Sequence, residues 1–195
     1  MDLNEAVFEN ELSRLNNELI EAHLEISRLK ETLFDMTRKD SLTNVGNRKY
    51  LFEMFKELKN RSLRLKYTTT MVTIDINDFK KVNDIMGSKE GDRLLMILAM
   101  LLVNRTREGL DYIFRTGGDE FIIIFTNCTE EQATKVISRI NKLFMNETTI
   151  ASLAYGAVEI DFKQINALEL HMSMAEEVMF SWKRRKKEGI VKDEI

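Results

Sequence analysis

The chain of 195 residues contains no proline. Helices and hairpins therefore run on without that punctuation. It has one cysteine, Cys128, which excludes an intrachain disulfide and points to a reducing cytosol. Long apolar runs are missing too. The strongest, Leu94 to Val103, is far too short to span a bilayer. There is no basic excess: the net charge of −3 argues against a general nucleic-acid binder. The opening Met1-Asp2-Leu3-Asn4-Glu5 is acidic and polar, unlike a secretory signal. What remains is an ordinary soluble composition, 44% hydrophobic and 31% charged, with length for one globular domain plus an extension.

The extension comes first. Phe8, Leu12, Leu15, Leu19, Ala22, Ile26, Leu29, Leu33 and Met36 recur in alternating steps of four and three. Leu12, Leu19, Ile26 and Leu33 occupy position a of a heptad, and Leu15, Ala22, Leu29 and Met36 occupy d. Glu25 at g and the following e residue Lys30 suit an ion pair between parallel chains. An amphipathic helix packed on its own domain would show the same stripe. Unbroken alternation over about four heptads favours a coiled coil over residues 1–39. It is expected to be dimeric, although only the Ile26/Leu29 pair has the a/d chemistry that selects two strands over three.

After Asp40 the pattern changes, and residues 40–195 read as one domain. Asn47 is placed to cap a helix running to about Lys66. Thr68 to Ile76 is a β-branched strand. Asn77 to Met86 reads as a short helix ended by Gly87, followed by a longer one from Lys89 to about Arg107. Two hairpin strands cover about 111–116 and 120–126. Thr129 to Met145 is helical, with Glu130 and Glu131 favourable in its first turn. Ala151 to Ile160 is a strand, and Asn166 to about Lys187 a final helix. The expected fold is α+β, a βααββαβ unit with a mostly antiparallel sheet and packed helices.

The chemistry concentrates at Arg115-Thr116-Gly117-Gly118-Asp119-Glu120-Phe121. A Gly-Gly turn between β-rich runs reads as a hairpin, because glycine tolerates the positive φ of such turns. Asp-Glu at its tip does little for folding and suits a divalent cation. Asp75 sits where the first strand meets the next helix, a position that fits either a helix cap or a metal ligand aimed at phosphate. If that strand pairs with the hairpin, Asp75 lies near Asp119 and Glu120. Three carboxylates at one edge repel unless a cation neutralises them. Mg²⁺ is the natural ion, being held by few carboxylates plus substrate phosphates.

Asn83 and Asp92 flank the Gly87–Gly91 break. An Asp accepts from the ring N–H and exocyclic amine of guanine, and an Asn amide engages its other edge. Both are equally ordinary turn and cap residues. The basic run Trp182-Lys183-Arg184-Arg185-Lys186-Lys187 complements a helix dipole as a solvated face, and it could also reach a triphosphate.

Together these segments resemble the GGDEF family of diguanylate cyclases. Asp40-Ser41-Leu42-Thr43-Asn44-Val45-Gly46-Asn47-Arg48-Lys49 is similar to the family's opening DxLTGLxNRR signature. Asp75 to Asp92 is similar to its DxDxFKxxNDxxGHxxGD segment, and Gly117 to Phe121 to its namesake. The resemblance covers about Asp40 to Lys187. It implies a palm-type, ferredoxin-like domain that condenses two GTP into cyclic di-GMP and two pyrophosphates. It implies two Mg²⁺ per half-site, with Mn²⁺ able to substitute. The implied metal ligands are Asp75, the Ile76 carbonyl, Asp119 and Glu120. The implied catalytic residues are Asp119, Glu120, Lys80 and Lys183, with Asp119 closest to activation of the 3′-OH. Asn83 and Asp92 would hold guanine; Phe79, Lys80, Lys183 and Lys187 would lie at the phosphates. Each domain would supply half of a site, so a homodimer joined by the coiled coil is implied. The expected location is cytoplasmic, with no nucleic-acid partner and no membrane segment. Input would come from an upstream sensor domain, a partner or self-assembly.

The departures are specific. Asn44 and Val45 stand where the family has glycine and leucine, Asn77 where it has a second aspartate, and Ser88 where it has histidine. Lys187 stands for a later arginine, keeping charge without the bidentate fork. The product-inhibition motif RxxD reads Glu108-Gly109-Leu110-Asp111, so the Glu108/Asp111 inhibitory site is expected not to function, with Arg105 and Arg107 close enough for a shifted one. Two other readings compete: a mixed cyclic GMP-AMP synthase, disfavoured by Asp92, and a degenerate domain that only binds nucleotide or dimerises, disfavoured by the intact Asp75, Lys80, Asp119 and Glu120.

Overall fold

The computed structural model describes residues 3–187, with side chains described from 10 to 185 except at Asp35. Phe8, at the head of the expected seam, and Lys187 have side chains outside the described residues. The described residues form two compact units that divide between Thr37 and Arg38.

The first unit consists of the helix α1 (Leu3–Arg38) up to Thr37. Leu12, Leu15, Leu19, Ile26, Leu29, Leu33 and Met36 of the expected seam are all exposed on it. So many exposed apolar side chains on one stripe are an unpaid hydrophobic term until something covers them.

The second unit runs β1 (Gly46–Asn47), α2 (Arg48–Leu65), β2 (Thr69–Ile76), α3 (Phe79–Met86), α4 (Ser88–Arg105), β3 (Asp111–Gly117), β4 (Glu120–Thr126), α5 (Glu130–Thr148), β5 (Leu153–Glu159) and α6 (Ala167–Lys187). From β2 onward this is the expected βααββαβ order with a closing helix. The sheet order is β1-β3-β4-β2-β5. All neighbours are antiparallel except β1 and β3. The architecture is the α+β palm type that the sequence led us to expect. Only the two-residue strand β1 was missed.

Helices cover both faces, which is why β2 and β4 read as continuous apolar runs instead of alternating ones. On one face Val72, Ile74, Phe121 and Ile123 meet Val82 of α3, Leu94 and Leu98 of α4, and Ile137 and Phe144 of α5. On the other, Met71, Ile122 and Ile124 meet Leu51, Phe55 and Leu58 of α2 and Leu168 and Ala175 of α6. Burying each of these large side chains contributes about 1.5–3 kcal/mol.

Without proline, the ends of α2 and α5 are set by caps. Asn47 accepts from the Tyr50 amide at 2.9 Å and starts α2 as expected. Thr129 and Gln132 form a reciprocal capping box at α5. α2 and α5 stop at the left-handed residues Lys66 (φ 54°) and Thr149 (φ 58°). α6 lies directly on the sheet at Gly156. A Cβ there would run into the Ala175 carbonyl and stand 2.6 Å from the Met179 amide nitrogen.

Candidate active site

Asp75 is the penultimate residue of β2, the strand held between β4 and β5. The last pair between β2 and β4 is Ile74 with Phe121. One step further puts Asp75 across from Glu120 on the same face of the sheet, the face that α6 covers. Lys183, in the last part of α6, places Nζ 2.6 Å from Asp75 Oδ1. Ile76 buries its side chain in the core, so the group it can offer a ligand is its backbone carbonyl.

The hairpin tip differs from the expected turn. Gly117 belongs to β3 and pairs with Glu120 across a β-bulge that begins at Arg115. The two turn residues are therefore Gly118 and Asp119, and Gly118 takes the positive φ of 49°. The bulge rotates the tip, so the carboxylate of Asp119 is carried by the turn itself. Burial pushes the Asp119 carboxyl above its ordinary value. The negative charge of Asp75 adds to this, Glu120 adds less, and Lys183 pulls the other way. Asp75, Asp119, Glu120 and Lys183 thus share one electrostatic site that is short of positive charge. Among the described residues no three His, Cys, Asp or Glu side chains already form a coordination set. Lys183 engages Asp75 instead. The donor chemistry fits a hard divalent cation, since all the implied ligands are oxygens and the site carries excess negative charge.

The hairpin tip is braced by residues that the sequence reading had not given a role. Arg115 donates to the Gly118 carbonyl from Nε at 2.9 Å and Nη2 at 2.7 Å. Its Nη1 donates to Asp40 Oδ1 at 2.9 Å. Asp40 also accepts from the Thr43 amide and hydroxyl. Burial raises the Asp40 carboxyl, but the bonds from Thr43 and Arg115 outweigh it and hold it below its ordinary value. The opening signature therefore supports the acidic turn. The available signal was an aspartate followed by Thr43, with an arginine just before the glycines. Asn44 explains its own departure: it sits at φ 59°, where glycine is easiest and asparagine is the next best residue.

The second group of expected residues lies on α3 and α4. Asn77 donates its side-chain amide to the Ser152 hydroxyl at 3.0 Å, tying the end of β2 to the start of β5. Asp78 begins α3 in a left-handed conformation and forms no side-chain cap. Phe79 packs against the core, and Lys80 is exposed in the first turn. Asn83 and Gly91 touch: a Cβ at 91 would collide with the Asn83 side-chain oxygen and come within 3.1 Å of Phe79 Cζ. Gly91 thereby seats the Asn83 amide against α4, one residue from the exposed Asp92.

At the expected inhibitory positions, Glu108 is exposed and Asp111 is buried. Asp111 accepts from the Arg107 amide at 2.8 Å, from Nε at 3.0 Å and from Nη2 at 2.6 Å. Arg107 also donates to the Thr126 carbonyl. The carboxylate is spent on holding the start of β3.

No described helix is long and apolar enough to cross a membrane. Among known proteins, Signaling protein YkoW of Bacillus subtilis (strain 168) is 32% identical over 168 residues, covering 82% of this chain and 21% of that protein. Diguanylate cyclase DosC of Escherichia coli (strain K12) is 31% identical over 172 residues, covering 82% and 37% respectively. This chain thus spans well under half the length of either relative. The solved coiled coil and GGDEF domain of DgcB from Caulobacter crescentus, in complex with c-di-GMP, is similar in fold. Its TM-score is 0.75 at 21% identity, covering 87% of this chain and 94% of that one. The family described as diguanylate cyclase, GGDEF domain, matches residues 37–188, and this chain belongs to it.

Proposed function

We propose that the chain is an active diguanylate cyclase that condenses two GTP into cyclic di-GMP and two pyrophosphates. The observation that carries this reading is that Asp75, Asp119, Glu120 and Lys183 interact at one end of the sheet, where burial and then the charge of Asp75 push Asp119 up. Such a cluster is costly for stability and useful for holding cations against phosphate.

In this reading Asp75, the Ile76 carbonyl, Asp119 and Glu120 hold the Mg²⁺ ions. When bound, these ions lower the cost of charge on the attacking 3′-oxygen and on the leaving pyrophosphate. Asn83 and Asp92 hold the guanine edge, with Asn83 positioned by Gly91. Lys80 and Lys183, with the start of α3 at Phe79, bind the phosphates, and Lys187 adds charge at the end of α6. In each of two steps the 3′-oxygen of one GTP, its proton taken by Asp119, joins the α-phosphorus of the other as the bond from that phosphorus to the β-phosphate oxygen breaks and pyrophosphate leaves. One domain holds one GTP, so two must face each other. The exposed seam of α1 supports a parallel homodimer that brings them together at high effective concentration. The engagement of Asp111 by Arg107 supports the absence of product inhibition through Glu108 and Asp111.

The test is incubation of the chain with GTP and Mg²⁺, with products separated by chromatography and mass. Cyclic di-GMP formation that disappears in Asp119→Asn is expected. With equal ATP and GTP, predominant mixed cyclic GMP-AMP would overturn the substrate assignment. Nucleotide binding without turnover by a demonstrated dimer would overturn the activity.

A further inference from the structure

Lys183 and Asp75 form a close ion pair, yet neither is deeply buried: their side chains are 28% and 20% exposed. In a half-buried pair of this kind the cost of desolvating two charges offsets much of their attraction, so its net contribution to stability is modest. Its surroundings give it another use. One ammonium faces the charges of Asp75, Asp119 and Glu120, so it balances only part of them. A dipositive ion on the same oxygen would balance more, and the ammonium and the ion cannot share that seat.

The rest of α6 is built to stay in place while this side chain moves. Its backbone lies directly on Gly156. The neighbouring Trp182 stacks on Tyr155 of β5, with ring centroids 6.3 Å apart and planes 25° apart. Lysine carries its charge on a flexible four-carbon stem. While it is held on Asp75 the ammonium also lies over the ring of the exposed Phe180, 5.7 Å from its centroid, a contact that leaves it only weakly tied to its own helix.

We propose that Lys183 is a placeholder cation: it neutralises Asp75 until a divalent ion binds there, and its ammonium then turns to the phosphates of the incoming nucleotide. The residue would thereby couple metal and nucleotide binding. This rests on the cyclase reading of the same site.

The test is a Mn²⁺ titration followed by electron paramagnetic resonance, without nucleotide, on the full chain and on Lys183→Met and Lys183→Gln. Removing the competitor should tighten Mn²⁺ binding by about fivefold, the scale of a partly solvated ion pair. The same variants should bind an α,β-methylene analogue of GTP more weakly. Opposite shifts of the two affinities are the signature. A lysine that only contacts phosphate leaves Mn²⁺ affinity unchanged, and one that only holds α6 in place loosens both; either result in variants with wild-type circular dichroism overturns the exchange and leaves the cyclase reading standing. A wild-type chain that binds neither Mn²⁺ nor the analogue overturns both.

Discussion

Arg115 reaches Asp40 across 75 residues of sequence, donating from Nη1 at 2.9 Å while its other nitrogens hold the Gly118 carbonyl. Both side chains are largely withdrawn from water, at 14% and 21% exposure. Arg115→Met should cost about 2 kcal/mol of stability in urea unfolding, the scale of a hydrogen bond to a charged group. GTP turnover should fall further than stability, because the turn that carries Asp119 loses its brace. Arg115→Lys should recover charge but not the fork, and so only part of the activity.

The same contact predicts a pH dependence. A carboxyl held below its ordinary value binds its proton more weakly in the folded chain than in the unfolded one. The stability it contributes is complete above the ordinary value of 3.8 and is lost as pH falls toward the lowered native one. Asp40→Asn should therefore be less stable than wild type at neutral pH. The difference should shrink on acidification below that value, measured as thermal midpoints across a pH series. A constant gap would show that the Asp40 charge is not what stabilises the site.

Gly91 should not accept a side chain. In Gly91→Ala the new methyl meets the Asn83 amide and the Phe79 ring. Overpacking of this kind costs about 1–3 kcal/mol. Calorimetry with a GTP analogue should show weaker binding even at temperatures where the variant is fully folded. Wild-type affinity would remove Asn83 from the guanine site.

The α1 seam can be tested at its centre. Leu19→Asp places a charge at an a position of the proposed dimer, where it would be buried without a partner. Sedimentation equilibrium should show monomer, and turnover should drop to background at dilute protein. Full activity from a demonstrated monomer would separate catalysis from the coiled coil.

Much of the globular unit was legible because β2 and β4 are runs of β-branched and aromatic residues and because α2 and α5 carry clear caps. β1 was not, because two residues carry no periodicity and its pairing with Phe114 and Arg115 is made only in three dimensions. The turn was misread by one residue because a bulge leaves no compositional mark: Gly117 and Gly118 look alike in sequence but differ in φ. The acidic ligands were legible as a pattern. Their cation was not, since Lys183 is 108 residues from Asp75 and its basic run reads equally well as a solvated helix end. For Asp111 the motif showed that its usual arginine was missing, but not that Arg107 had claimed the carboxylate.

The distance in sequence between Asp75 and Lys183 has a consequence during synthesis. Contacts between remote segments form only after the intervening chain is in place. A nascent chain that has emerged only through β5 has made Asp75, Asp119 and Glu120 but not the lysine that tempers them. The acidic end of the sheet is therefore left without its own counter-charge until nearly the whole domain has been translated. Charge balance at this site is a property of the completed domain.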